Sequence, residues 1–272
     1  MDMTLNDDQL MIQQMAKKFA QSELAPVADQ LSGDGGREIF LANLKKLAEL
    51  GFMGLNIDGQ YGGTEAGTII FSLAITEIAK ACASTAVTMS VTNMVAEVIQ
   101  VVACEKQKEK YLPKLCSGEY PAGCFCLTET TAGSDPSNMK TNAILDGDEW
   151  VLNGSKQFIT SAEYAGVFVV WALTDKSLSR GKGISCFLVE RNAPGLSISK
   201  AEEKMGQNAS ATNEVVFDDC RIPKDALMGE LNQGFKVAVS ELAGGRIGIG
   251  SLALGVGLAA MDYARVYITE RE

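Results

Sequence analysis

PAGCFCLTETTAGSD, residues 121–135, is the stretch at which the chain changes period. Upstream of it, apolar residues recur at helical spacing. Downstream they fall in short runs rich in β-branched and aromatic residues, split by Gly, Asn, Asp and Pro. Within the stretch, an apolar run stops at Thr-Glu-Thr-Thr and a Gly-Ser-Asp turn. A strand end of this kind presents short hydroxyls and backbone donors.

Upstream, LNDDQLMIQQMAKKFAQSELAPVA (5–28) opens with an Asn-Asp start signal and carries Leu10, Met11, Met15 and Phe19 at helical spacing before Pro26. REIFLANLKKLAEL (37–50) runs into Gly51, a C-terminal cap signal. After the Gly-rich IDGQYGGTEAG come TIIFSLAITEIAKAC and STAVTMSVTNMVAEVIQVVA, apolar enough to be buried on most sides. EKQKEKYLPKLCSG then predicts a charged, exposed helix. These runs predict an all-α domain over 1–120.

Downstream, PAGCFCLTE, TNAILDG, EWVLNGSKQFITS, GVFVVWALT, GISCFLVER, GLSISK and NEVVFDDCRI predict an antiparallel β-barrel or sandwich over 121–228, with a tight hairpin at DGDEW. Residues 229–272 predict one very long helix, apolar over much of its surface and carrying six glycines between 244 and 257. Each glycine costs about 1 kcal/mol relative to alanine, so such a helix needs others to lie against. The fold class is therefore α+β, ending in the first helix of an incomplete C-terminal bundle.

Composition narrows the chemistry. With 24 basic and 34 acidic residues the net charge is −10, which argues against nucleic acid and anionic membranes as partners. The N-terminus lacks a targeting pattern and no run of about 18 uninterrupted apolar residues occurs. A soluble, cytoplasmic chain is expected. The 7 cysteines show no C-x-x-C pair and are expected to be reduced and mostly buried, with Cys124 and Cys126 on one face of a strand. Zero histidines exclude Ser-His-Asp, Cys-His and His-ligated metal sites within the chain, and no metal site is expected. Chemistry must come from carboxylates, hydroxyls, backbone amides or an organic cofactor. GIGSLA (248–253) fits a dinucleotide-binding fingerprint, but no alternating β-α units surround it.

CFCLTETTAGSD, then NGSKQFITS (153–161), KMGQNASAT (204–212), VVFDDCRIP (215–223) and GGRIGIGSLALG (244–255), together resemble the acyl-CoA dehydrogenase family of flavoproteins, in its order and spacing. The resemblance implies FAD and an acyl-CoA held between a helical domain, a β-barrel and a C-terminal four-helix bundle. A flavin needs hydrogen-bond donors along one edge and an apolar surface over its rings, which an apolar strand ending in Thr supplies. By resemblance, Phe125, Leu127 and Thr128 lie along the flavin, Gly133 and Ser134 near the FAD pyrophosphate, and Ser134 also near the CoA arm. Phe158 takes the place of a family aromatic, often Trp, and Ile159 and Thr160 continue that block, with Thr160 directed towards flavin N5. Gly245 and Arg246 match positions beside the CoA thioester, with Gly244 and Gly245 letting a ligand approach the helix backbone. Arg271 matches a residue that helps hold the neighbouring subunit's FAD, although the aromatic-glycine pair that follows it in the family is missing.

The implied reaction is α,β-desaturation of an acyl-CoA: a carboxylate takes the α-proton, hydride passes to flavin N5, and electrons leave through an electron-transfer flavoprotein. The base is a Glu of the C-terminal bundle in most members. In a minority it precedes the arginine on the long helix, where this chain has Gly245. No catalytic base is identifiable here, and Glu129 reads as structural. Two readings follow: an acyl-CoA dehydrogenase chain completed by a second subunit or lacking its C-terminal part, or a non-catalytic flavin- or CoA-binding subunit of a heteromeric complex. Gly-Gly before Arg246 resembles short-chain and branched-chain members more than long-chain ones.

Overall fold

The computed structural model describes residues 4–271; Met1–Met3 and Glu272, the last residue of ITERE, lie outside the described residues. Helix α1 (Asp7–Phe19) starts where the Asn-Asp signal puts it: Asn6 Oδ1 accepts the Gln9 N–H at 2.9 Å and Gln9 Oε1 accepts the Asn6 N–H at 3.0 Å. Helix α2 (Gly36–Glu49) stops before Gly51, whose φ of +79° only glycine adopts cheaply. Helices α3 (Gly67–Ala81), α4 (Ala83–Val102) and α5 (Glu105–Cys116) complete the N-terminal layer. The charged α5 is not exposed all round: Gln107, Tyr111, Leu112, Leu115 and Cys116 form a buried stripe.

Eight strands follow: β1 (Gly123–Cys126), β2 (Asn142–Asp146), β3 (Glu149–Thr160), β4 (Val167–Leu173), β5 (Ile184–Glu190), β6 (Leu196–Ile198), β7 (Thr212–Pro223) and β8 (Leu227–Met228). They form one mostly antiparallel sheet in the order β6-β7-β3-β2-β4-β5-β8, and Gly147, at φ +61°, closes the β2–β3 hairpin between Asp146 and Glu149. The antiparallel expectation fails at β4, where β1 and β2 both pair in parallel: Gly123–Cys126 runs against Val167–Val170. β2 then takes over the same edge of β4 at Leu173. The chain between β1 and β2 is therefore an excursion from one sheet edge.

Period 2 sorts β1 between two cores. Cys124 and Cys126 face the core inside the sheet, while Phe125 and Leu127 face the core shared with α4, α5 and the last helix. β4 is buried on both faces in the same manner.

Helix α6 (Gly234–Glu270) spans about 55 Å at 1.5 Å per residue and lies on α3 and α4. The dinucleotide-like GIGSLA and the FKVAV before it both lie inside this helix, so no phosphate-binding turn exists there. Its glycines divide by face. A Cβ at Gly245 would meet Met94 Sδ at 2.6 Å, at Gly248 Ser90 Oγ at 2.2 Å, and at Gly255 the Thr76 carbonyl at 2.4 Å, whereas Gly244, Gly250 and Gly257 have nothing within 4 Å. Away from its contacts with α3 and α4 the helix exposes Val239, Ile247, Ile249, Leu254, Val256, Met261 and Val266. By length and composition α4 and α6 are both apolar enough to cross a membrane; α4 is mostly enclosed by the fold, whereas α6 is mostly not.

Candidate functional site

Two segments meet at the end of β1. Gln157 N–H donates to the Thr128 carbonyl at 2.8 Å, Cys124 Sγ donates to the Thr160 carbonyl at 3.0 Å, and Lys156 Nζ reaches the Leu127 carbonyl at 3.2 Å. The TETTAGSD excursion is thus stitched to the QFIT end of β3, bringing Thr128 beside the segment that carries Phe158, Ile159 and Thr160.

A β-bulge decides what this segment presents. Lys156 pairs with Val215 and Ile159 with Asn213, so three steps on β3 oppose two on β7. The extra residue lies at Gln157–Phe158, and Phe158 takes φ +60°. Its ring turns out and is 64% exposed, while Ile159 turns in. A bulky residue held at positive φ costs about 1–3 kcal/mol and marks a constrained position. Thr128 and Thr160 are half-buried, and neither hydroxyl bonds to another described residue. Thr160 lines a cavity of about 320 Å³ with Val87, Lys204, Gln207, Ser210 and Thr212. Burial, then the Arg37 charge, lowers the Lys204 pKa. Lys204 Nζ donates to the Ser210 carbonyl and, at 2.9 Å, to Thr212 Oγ1.

Phe125 packs its ring 4.2 Å from Trp171, whose Nε1–H donates to the Gly234 carbonyl at 2.8 Å, tying β1 to the start of α6. Gly133 and Ser134 are exposed in the excursion, next to Asp135, which pairs with Arg180 at 2.6 Å. Gly181 lies against both Ser137 and Phe235, so this loop borders a cavity of about 470 Å³ lined by Lys182, Asn232, Phe235 and Lys236.

On α6, Arg246 is exposed and makes no ion pair or hydrogen bond with another described residue. Gly244 is open, but Gly245 is not: its missing side chain accommodates Met94. Arg271 lies 25 residues beyond Arg246, about 37 Å along the axis, and the fold does not bring it to the Thr128–Phe158 cluster.

Two carboxylate arrangements escape sequence reading. Lys156, fully buried, holds Glu129 Oε1 at 2.8 Å. Glu129 also accepts the Lys140 N–H at 2.6 Å and the Thr141 N–H at 3.0 Å. Burial raises the Glu129 pKa, but the Lys156 charge and these donors outweigh it, so Glu129 stays ionised. Burial lowers that of Lys156, against the Glu129 charge. The second arrangement joins α4 to α6: Glu97 accepts from Asn56 Nδ2 at 2.6 Å, and burial with the Glu97 charge pushes Glu241 up to about 7. Burial likewise raises Glu97.

Family models for the acyl-CoA dehydrogenase N-terminal domain and middle domain match residues 6–119 and 124–220. The acryloyl-CoA reductase (NADH) of Anaerotignum propionicum is 41% identical over 100% of this chain and 68% of its own length. The chain belongs to the acyl-CoA dehydrogenase family. Butyryl-CoA dehydrogenase from Megasphaera elsdenii superposes with TM-score 0.94 at 37% identity, over 100% of this chain and 71% of its own. A chain in the structure of the electron transferring flavoprotein of Acidaminococcus fermentans gives TM-score 0.94 at 40% identity, over 100% and 71%. An acyl-CoA dehydrogenase from Bacillus anthracis complexed with FAD gives TM-score 0.92 at 31%, over 98% and 45%. Members named acyl-CoA dehydrogenases are oxidoreductases acting on CH–CH groups. The chain thus spans about two thirds of the length of acyl-CoA dehydrogenases such as the Megasphaera elsdenii protein.

Proposed function

We propose that this chain binds FAD and an acyl-CoA thioester and takes part in α,β-desaturation of the acyl group, with electrons passing to an electron-transfer flavoprotein. The observation that carries the reading is the bulge: it turns the Phe158 ring outward beside Thr128 and Thr160, whose hydroxyls lack internal partners. The residues present fit a flavin, since an apolar platform and free donors stand on two strand ends that are already joined. When bound, FAD supplies the hydride acceptor.

The chain's own residues then bind and orient. Phe158 and the half-buried Phe125 give the apolar wall, Thr128 and Thr160 the donors, and the buried Leu127 and Ile159 hold the two segments to the core. Gly133 and Ser134 leave the excursion open to a pyrophosphate, with Lys182 and Lys236 bordering the neighbouring cavity where the CoA arm lies. Arg246, unpaired on α6, is free to meet the thioester end. Met94 fills the space at Gly245, so the gap between α4 and α6 admits a short acyl group, in keeping with the butyryl- and acryloyl-CoA relatives.

Gly245 occupies the minority position for the base, so we assign the α-proton to a carboxylate outside this chain, on a second subunit or on further C-terminal residues. Arg271 then serves a neighbouring subunit's FAD. We place the chain in the reducing cytoplasm, a reading supported by seven free thiols, six of them buried.

The test is purification from the native host under non-denaturing conditions, with mass and visible spectrum from one fraction. A flavin-bearing complex heavier than the 29.0 kDa chain is expected, and dye reduction by acyl-CoA only in that complex. A lone chain that turns over acyl-CoA sinks the placement of the base. A chain that takes up no FAD in any assembly sinks the flavin reading.

A further inference from the structure

The 127–141 excursion is tied at both ends to one enclosed ion pair. Lys156 Nζ has three donors and three acceptors: Glu129 Oε1 at 2.8 Å, the Leu127 carbonyl at 3.2 Å and Met139 Sδ at 3.8 Å. Glu129 faces three donors in turn, Lys156 Nζ and the N–H groups of Lys140 and Thr141. Its own backbone exchanges both bonds with Ala132 at 3.1 Å, closing the first turn of the excursion. At the exit, Thr141 Oγ1 donates to the Ser155 carbonyl at 3.3 Å and the Thr141 carbonyl accepts from Leu173 N–H at 2.8 Å. The pair therefore joins the entry, turn and exit of the excursion to the β3 residue that immediately precedes the bulge.

Such a pair is a poor source of net stability, because apolar residues of similar volume generally serve as well or better once both charges are gone. A carboxylate is instead the one group whose two oxygens satisfy an ammonium and two backbone amides converging from different sides. The geometry has a positional consequence. With Lys156 fixed inward, Gln157 N–H meets the Thr128 carbonyl at 2.8 Å and the next residue, Phe158, is directed out.

We propose that Glu129 and Lys156 are positioning residues: their enclosed ion pair locks the Thr128 segment and the Phe158–Thr160 bulge into one body, so that donors from two strands address a cofactor in a fixed mutual geometry. The proposal rests on the flavin reading for what is positioned, but the locking itself is a property of the chain alone.

The experiment compares the full wild-type chain with Glu129→Gln, Lys156→Met and the double variant by amide hydrogen exchange without flavin, thermal melting, and fluorescence titration with FAD. Each single variant loses protection about 10-fold or more at Lys140, Thr141 and Gln157, in both segments together, and binds FAD on the order of 10-fold more weakly. The double variant leaves no unpaired charge and regains the wild-type melting temperature, yet protection and FAD affinity stay low. A double variant that recovers all three readouts shows a merely structural pair and overturns the proposal, as does unchanged exchange in the single variants. If the wild-type chain alone binds no FAD, affinity is read in the flavin-bearing complex, where absence of FAD sinks the flavin reading, and exchange still decides the lock: joint loss of protection in both segments supports it, and loss confined to one overturns it.

Discussion

Adding the same methyl group at two places on α6 produces opposite effects. At Gly250 a Cβ has nothing within 4 Å, so Gly250→Ala gains the intrinsic helix preference of alanine, about 1 kcal/mol. At Gly255 the Cβ falls 2.4 Å from the Thr76 carbonyl oxygen and 2.8 Å from Ala79 Cβ. The first of these is backbone, which cannot rotate aside, so α6 has to lift from α3. Lifting weakens the Ser72–Ser251 hydroxyl contact at 2.7 Å and the Thr76 hydroxyl bond to the Ser251 carbonyl at 3.3 Å, and it withdraws Leu252 from the core. Overpacking of this kind costs about 1–3 kcal/mol, and the strained backbone contact places Gly255→Ala near the upper end. After the same propensity gain of about 1 kcal/mol, Gly255→Ala is destabilised by roughly 1–2 kcal/mol. The two variants then differ by about 2–3 kcal/mol, at about 2–4 °C in melting temperature per kcal/mol. Urea and thermal unfolding followed by far-ultraviolet circular dichroism measure this directly. If both alanines stabilise the chain equally, α6 does not dock on α3 through its glycine stripe, and the account of that stripe is wrong.

Three further outcomes follow from single sites. Phe158→Gly removes a positive-φ strain and stabilises the flavin-free chain by about 1 kcal/mol while weakening FAD binding, and Phe158→Trp retains binding; a glycine variant that melts lower and binds FAD normally contradicts both halves. Glu241, raised from its ordinary value of 4.5 to about 7, holds its proton more tightly folded than unfolded. That stabilisation is complete below the unfolded value and is lost as pH rises through about 7. Its size is about 3 kcal/mol before solvent screening and roughly 1–2 after it, so Glu241→Gln flattens the profile and gains on wild type with rising pH. Denaturant titrations from acid to alkaline pH show this, and parallel profiles for the two proteins refute it. Arg246→Gln leaves the melting temperature within about 1 °C, because the side chain has no partner to lose among the described residues, but weakens acyl-CoA binding to the holoprotein in calorimetry. Unchanged affinity removes Arg246 from the acyl-CoA site.

Where the fold follows periodicity and caps, the chain discloses it directly: Asn6, Gly51 and the Gly147 hairpin stand where local chemistry puts them. The parallel β1–β4 pairing has no local signature, because it depends on a crossover through β2 and β3. The site is subtler, and β3 shows why. At Trp150, Leu152 and Lys156 the even positions are the buried ones, so period 2 directs a lysine into the core. Residue type and position conflict there, and that conflict is the visible sign of a partnered charge; the partner, Glu129, lies 27 positions away and is found only by folding. The same period assigns Phe158 to the core and Ile159 to the surface. One extra residue at Gln157–Phe158 inverts the parity, and the structure has Phe158 out and Ile159 in. A bulge leaves no mark in hydrophobic alternation, since either parity reads as a plausible strand. That is why Phe158 read alone is a core residue, and why only its juxtaposition with Thr128 across the Gln157 bond reveals a surface assembled from two strand ends.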